Sequence, residues 1–187
     1  MAEAKLDQRV PWSEAEYLAL DETASRIELI DGGLWVSPAP ISAHQSISLL
    51  LQVMLLDGAR QAGMRVNGAI NVRVRPNRIL IPDVAVGTMG RVETVTAARD
   101  VALVAEILSP STAWLDRGLK MQFYAEAKIE WYLLVSPAMP DYDAVELELF
   151  HWEDGKYVAA ASAGPTETLT TDLPFPIVIP ADDLVDF

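Results

Sequence analysis

The sequence predicts an α/β fold built on a mixed β-sheet flanked by helices, and three observations carry that expectation. A long helical pattern runs from Ser42 to Ala62. Two almost wholly apolar segments, 101–108 and 130–135, have the content of strands buried on both faces, and helix-like and strand-like segments alternate along the chain. At 187 residues, with 51% hydrophobic and 22% charged residues, the chain has the make-up of a globular domain with a core of its own. No repeat, low-complexity tract or linker divides it, so residues 1–187 read as a single domain that ends in additional antiparallel strands over about 138–187.

Taken in order, Ser13-Glu14-Ala15-Glu16 has capping-box spacing and opens a short helix to about Leu20. Arg26 to Ile30 and Leu34 to Val36 flank Asp31-Gly32-Gly33 as a hairpin, which Pro38 and Pro40 end. In the helix stopped by Gly63, apolar residues from Ile47 to Leu56 cover most of the circumference and leave His44, Ser48 and Gln52 as a narrow polar stripe. Such a helix belongs at the centre of the core or in a homodimer interface. Met64 to Val74 and Ile79 to Val86 read as two strands joined by the turn Arg75-Pro76-Asn77-Arg78. Beyond the strand at 101–108, Pro110-Ser111-Thr112 breaks the chain, Leu115 to Lys128 has helical periodicity, and the C-terminal third suggests short strands and a Pro-rich tail.

Composition narrows the function classes. Fourteen basic against 27 acidic residues give a net charge of −13, which argues against a histone-like or polybasic nucleic-acid binder. The absence of cysteine excludes disulfides, thiolate zinc sites and cysteine nucleophiles, and fits a reducing cytoplasm. The first dozen residues lack the apolar stretch of a secretory signal, and Ile47 to Leu56 falls short of the roughly 18 apolar residues of a membrane span, so a soluble cytoplasmic protein is expected. The charge is uneven: residues 137–187 hold 11 acidic residues and only Lys156, whereas 58–82 hold no acid and carry Arg60, Arg65, Arg73, Arg75 and Arg78.

Three acids interrupt apolar strands: Glu28, Asp83 and Glu106. A buried carboxylate must take up a proton or meet a cation, because desolvating its charge costs several kcal/mol. Two or three converging on one point would need a divalent metal between them, and oxygen-only ligands favour Mg2+ or Mn2+. Each acid also has a plainer reading. Glu28 shares strand parity with Arg26 and so can face solvent, Asp83 follows a proline and can be an edge residue, and Glu106 can form a buried ion pair with an arginine. Asp116, Lys120 and Tyr124 are four residues apart and share a helix face. They form either a surface ion pair or a cation reaching back to the carboxylates. Arg73, Arg75 and Arg78 are candidates to hold phosphates near Asp83, or else line a solvated strand face.

The ordered set Ile27-Glu28-Leu29-Ile30-Asp31-Gly32, His44, Ile81-Pro82-Asp83-Val84, Glu106-Ile107-Leu108-Ser109-Pro110-Ser111-Thr112, Asp116, Lys120, Tyr124 and Glu130-Trp131-Tyr132 resembles a family of small putative restriction endonucleases in the PD-(D/E)XK nuclease superfamily. The resemblance covers about residues 10–137. It implies a restriction-endonuclease-like fold and metal-dependent hydrolysis of a nucleic-acid phosphodiester, with DNA as the expected substrate and Asp83 and Glu106 as Mg2+ or Mn2+ ligands. The superfamily places its lysine two residues after the second acid, where this chain has Leu108, and the resemblance points instead to Lys120. Glu28 and His44 match further motif positions, as a third carboxylate and as a proton carrier or phosphate contact. The rival class is a catalytically silent interaction or regulatory module on the same fold, which the net charge of −13 favours.

Overall fold

The computed structural model describes residues 5–7, 11–20, 25–110 and 113–187. One six-stranded sheet has the spatial order β1 (Lys5–Asp7), β3 (Gly33–Ser37), β2 (Arg26–Ile30), β6 (Arg78–Leu80), β5 (Val72–Arg75) and β8 (Thr96–Ala97). A second has the order β12 (Lys156–Ala163), β11 (Val145–Glu153), β10 (Trp131–Pro137), β9 (Val101–Ile107), β7 (Val84–Gly87) and β4 (Arg65–Gly68), and β13 (Thr168–Thr171) pairs with β14 (Ile177–Pro180) as a separate hairpin. Both large sheets are mixed, since β5–β8 and β9–β10 are parallel and the other pairs antiparallel. The α/β class is as the sequence predicts, but the single sheet expected is two sheets and a hairpin.

Local chemistry explains the N-terminal elements. Glu16 Oε2 accepts the Ser13 N–H at 2.8 Å while Ser13 Oγ accepts the Glu16 N–H at 3.2 Å, so the capping box opens α1 (Glu14–Leu18) as spaced. Between β2 and β3, Asp31 (φ 53°) and Gly32 (φ 88°) both take left-handed conformations, the geometry of a tight hairpin turn.

The long strands expected at 64–74 and 79–86 each break in the middle. Their outer halves, β4 and β7, pair in the second sheet, and their inner halves, β5 and β6, pair in the first. Ala69 turns to φ 50°, and on the facing segment Pro82 has no N–H to continue a ladder. The chain therefore crosses from one sheet to the other immediately before Asp83. At the C-terminal end, β11 and β12 are long rather than short, and they extend the second sheet beyond β10 with Val145, Leu147 and Leu149 turned inward at period two.

Helix α2 (Ser42–Gln61) covers one face of the second sheet, burying Ile47, Leu51, Leu55 and Ala59 against residues such as Val84, Leu103 and Ala105. Helix α3 (Met121–Glu126) covers the other, with Phe123 and Tyr124 among Val104, Tyr132 and Leu134. The polar stripe expected on α2 does not face water as a whole: His44 is buried, whereas Leu49 and Val53 are 62% and 59% exposed. The four-residue spacing of the buried set decides which side faces inward, and His44 lies on that side at the helix's N-terminal end.

Gly58 on α2 has no room for a side chain, because a Cβ there would stand 2.0 Å from the Pro176 carbonyl oxygen and 3.0 Å from the Phe175 ring. Alanine favours a helix over glycine by about 1 kcal/mol. We nonetheless expect Gly58→Ala to lower stability by roughly 1–3 kcal/mol through overpacking. A urea midpoint at or above that of the unchanged protein would contradict this packing.

Candidate active site

Asp83 enters the interior where the chain changes sheets. Its Oδ2 accepts the Ile107 N–H at 2.8 Å and lies 3.3 Å from His44 Nε2, while its Oδ1 accepts from Arg26 at 2.7 Å. His44 Nε2 also lies 3.2 Å from the Ile107 carbonyl, so the ring nitrogen that faces these two acceptors is the one that carries hydrogen. Burial opposes ionisation of Asp83, but the Arg26 guanidinium, His44 and the Ile107 N–H outweigh it and hold the carboxyl well below the usual range.

Glu106 occupies the sixth position of β9 and turns toward the opposite face from Ala105 and Ile107. Its Oε1 accepts the Tyr124 hydroxyl at 2.7 Å and the Lys120 ammonium at 3.2 Å. Lys120 Nζ is also 3.2 Å from Glu28 Oε1 and 3.5 Å from Asp116 Oδ1. All four charged groups are 3% exposed or less. Burial disfavours the ammonium, yet Glu106, Glu28 and Asp116 raise its proton affinity above that of an ordinary lysine, so Lys120 is a fixed cation and not a base. Burial pushes Glu106 up to about 8, Asp116, Asp83 and Glu28 add to the effect, and Lys120 opposes it.

Lys120 reaches this point from a π-helical segment, Leu115–Lys120, that runs directly into α3. The Asp116 carbonyl in that segment accepts the buried Tyr132 hydroxyl at 2.9 Å, which ties it to β10. Wide turns of this kind recur at functional sites.

Asp83, Glu106, His44 and Lys120 line one cavity of about 340 Å³, together with Arg26, Asp116 and an apolar wall that includes Pro40, Ile41, Pro110 and Tyr142. Glu28 stands behind Lys120, where its Oε1 accepts the Ile81 N–H at 2.7 Å. The structure does not bring Arg73, Arg75 or Arg78 to this cavity. Arg73 pairs with Glu14, Arg75 with Asp31 at 2.5 Å, and Arg78 with Asp31 at 2.6 Å and Glu126 at 2.9 Å while lying over the Phe123 ring. Arg26 is the residue that sequence reasoning passed over. Its signal was the parity with Glu28 that suggested a solvent-facing pair, whereas both side chains face the site.

The donor set suits a hard divalent cation. Of the four buried carboxyl groups Glu106 is driven toward its protonated form, and the other three against the two cations Lys120 and Arg26 still leave negative charge in excess, while Glu28 Oε2 is buried without a hydrogen-bond partner among the described residues. Asp83, Glu106 and the Ile107 carbonyl offer oxygen only. Among the described residues no group of three His, Asp or Glu side chains forms a ready-made cage, so an ion here would keep several waters, as Mg2+ commonly does.

Comparison with known proteins places the chain beside nucleases. The model of the Uma2 family, described as putative restriction endonuclease, matches residues 14–181. An uncharacterized protein, slr1290, of Synechocystis sp. is 30% identical over 147 residues, which are 76% of this chain and 75% of that protein. The crystal structure of a putative nuclease belonging to DUF820 from Anabaena variabilis superposes with a TM-score of 0.66 over 94% of this chain and 98% of its own, at 17% identity, and shares the fold.

The two acids have opposite effects on stability with pH when no metal is bound. The lowered Asp83 binds fewer protons folded than unfolded near pH 3–4, so its contribution is present above the unfolded carboxyl value and disappears on acidification. The raised Glu106 binds more protons folded than unfolded, so its contribution is present below the unfolded value and disappears as pH rises toward about 8. We expect thermal unfolding in EDTA to show both limbs, with Asp83→Asn flattening the acid one and Glu106→Gln the neutral one. Unchanged limbs in these variants would sink the assignment.

Proposed function

We propose that this chain, which belongs to the Uma2 family of putative restriction endonucleases, is a Mg2+- or Mn2+-dependent endodeoxyribonuclease. The observation that carries the reading is the convergence of Asp83 and Glu106 on one cavity that holds an excess of buried negative charge. Asp83, Glu106 and the Ile107 carbonyl would hold the ion. When bound, the ion supplies Lewis-acid stabilisation of the phosphoryl oxygens and lowers the pKa of water toward neutrality.

The chain's own groups do the rest. Arg26, His44 and the Ile107 N–H keep Asp83 ionised and aimed. Lys120 and the Tyr124 hydroxyl fix Glu106 Oε1, and Glu28 and Asp116 hold the ammonium in place from two further sides. The site is thus set before substrate arrives, which is the condition for electrostatic stabilisation without reorganisation. Hydrolysis adds the oxygen of water to phosphorus as the bond to the 3′ oxygen breaks, the proton lost by the water being matched by one taken up by the departing oxygen, while His44 stays against Asp83.

One observation favours a catalytically silent module instead: Arg26, His44 and the Ile107 N–H already satisfy both Asp83 oxygens without an ion. Metal-linked stability separates the readings, because an ion that binds only the folded state raises the melting temperature. We expect Mn2+ to raise it in the unchanged protein and not in Asp83→Ala or Glu106→Ala. We also expect plasmid cleavage that EDTA abolishes, and a loss of at least roughly 100-fold in either variant. Equal cleavage by those variants would overturn the nuclease, and a metal-blind melting curve would favour the silent module.

A further inference from the structure

The nuclease reading leaves open which form of DNA enters the site, and the surroundings of the cavity bear on that choice. Resting on that reading, we infer that the substrate is unpaired DNA, bound by stacking a base on Trp114 while the neighbouring nucleotide enters the cavity.

Trp114 is 61% exposed, a large apolar surface to leave in water. It immediately precedes the π-helical segment that carries Asp116 and Lys120. Its indole meets that of Trp35 edge to face, with ring centroids 5.6 Å apart. Trp35 is placed beside the site by the sheet: it pairs across the β2–β3 hairpin with Glu28, and Ser37, two residues on, pairs with Arg26. Residues directly opposite in a ladder share a face, so Trp35 and Ser37 lie on the site side with Glu28 and Arg26. Ser37 and Arg26 both line the cavity. Trp35 therefore braces a largely bare indole at the margin of the carboxylate site.

The cavity itself points the same way. At about 340 Å³ it is at the small end of ligand pockets, and the acids it offers are 1–3% exposed. A phosphodiester must come down to them, and a flexible single strand bends into such a recess more readily than a duplex, which is stiff over about 150 base pairs. Prolines 38, 40, 110 and 140 and Tyr142 supply an apolar wall for a sugar or base.

Several of the cations that could follow a duplex backbone are otherwise engaged. Arg26, Arg73, Arg75, Arg78 and Arg117 each lie within ion-pair distance of a carboxylate, Lys120 is buried among three, and the chain carries −13 overall. Duplex affinity depends mainly on such charges and counterion release, whereas base stacking on aromatic rings binds single strands with little dependence on sequence.

The test measures binding rather than turnover, with Ca2+ replacing Mg2+ so that DNA stays intact. A fluorescein-labelled single-stranded oligonucleotide and its duplex are titrated by anisotropy against the unchanged protein, Trp114→Ala and Trp114→Phe. The single strand should bind at least about tenfold more tightly than the duplex. Trp114→Ala should weaken single-strand binding by roughly five- to 150-fold, the span of one lost base stack, and Trp114→Phe should recover most of it. Because Trp114 is mostly exposed and touches Trp35, only a small fall in the urea midpoint is expected, and a cooperative unfolding curve confirms that a folded protein is being compared. Duplex binding as tight as single-strand binding, or Trp114→Ala binding like the unchanged protein, overturns the inference. Neither result touches the nuclease reading, which stands or falls on cleavage by the Asp83 and Glu106 variants.

Discussion

The ammonium of Lys120 is the point on which the interior of this protein depends. Glu28 belongs to one sheet, Glu106 to the other, and Asp116 to the segment that joins β9 to α3, and Nζ lies within 3.5 Å of an oxygen from each. Three carboxylates cannot be brought out of water to one place without a cation, since each desolvated charge is costly and their mutual repulsion grows in a medium of low polarity. The lysine therefore does for the sheets what a covalent link does for two strands: it makes their relative position a condition of charge compensation. Its own neutral form is suppressed by the same neighbours, so the link is permanent over the ordinary range of pH.

A second balance operates a few ångströms away. Asp83 is held ionised by donors on three different segments, whereas Glu106 is driven toward its protonated form by burial and by the carboxylates around it. Two acids in one cavity thus differ in proton affinity because one is surrounded by donors and the other by acids. The overall charge of the molecule says little about this arrangement, since 11 of the 27 acids lie after residue 136, most of them on or beyond β11.

How far the sequence reveals this site follows from the range over which each signal acts. Asp83 and Glu106 are legible because a charge inside an apolar strand contradicts its own neighbourhood. Lys120 is legible through its four-residue spacing from Asp116 and Tyr124. Arg26 is not, because strand parity says which residues share a face and not what that face meets. The same limit applies to Arg73, Arg75 and Arg78: a run of arginines without acids looks basic along the chain, yet their carboxylate partners lie between 44 and 59 residues away. The crossing between sheets is half legible. Pro82 marks it on one strand, but nothing in Ala69 announces the left-handed turn that breaks the other.

That crossing also has a consequence for when the chemistry comes into being. Asp83 finds Arg26 at a separation of 57 residues and Ile107 at 24, Lys120 finds Glu106 at 14, and His44 meets the Ile107 carbonyl at 63. Any fragment that contains both acids and all the groups that aim them must span residues 26–124. A partly folded molecule, or one half of it cut free by a protease, therefore lacks the assembled cavity.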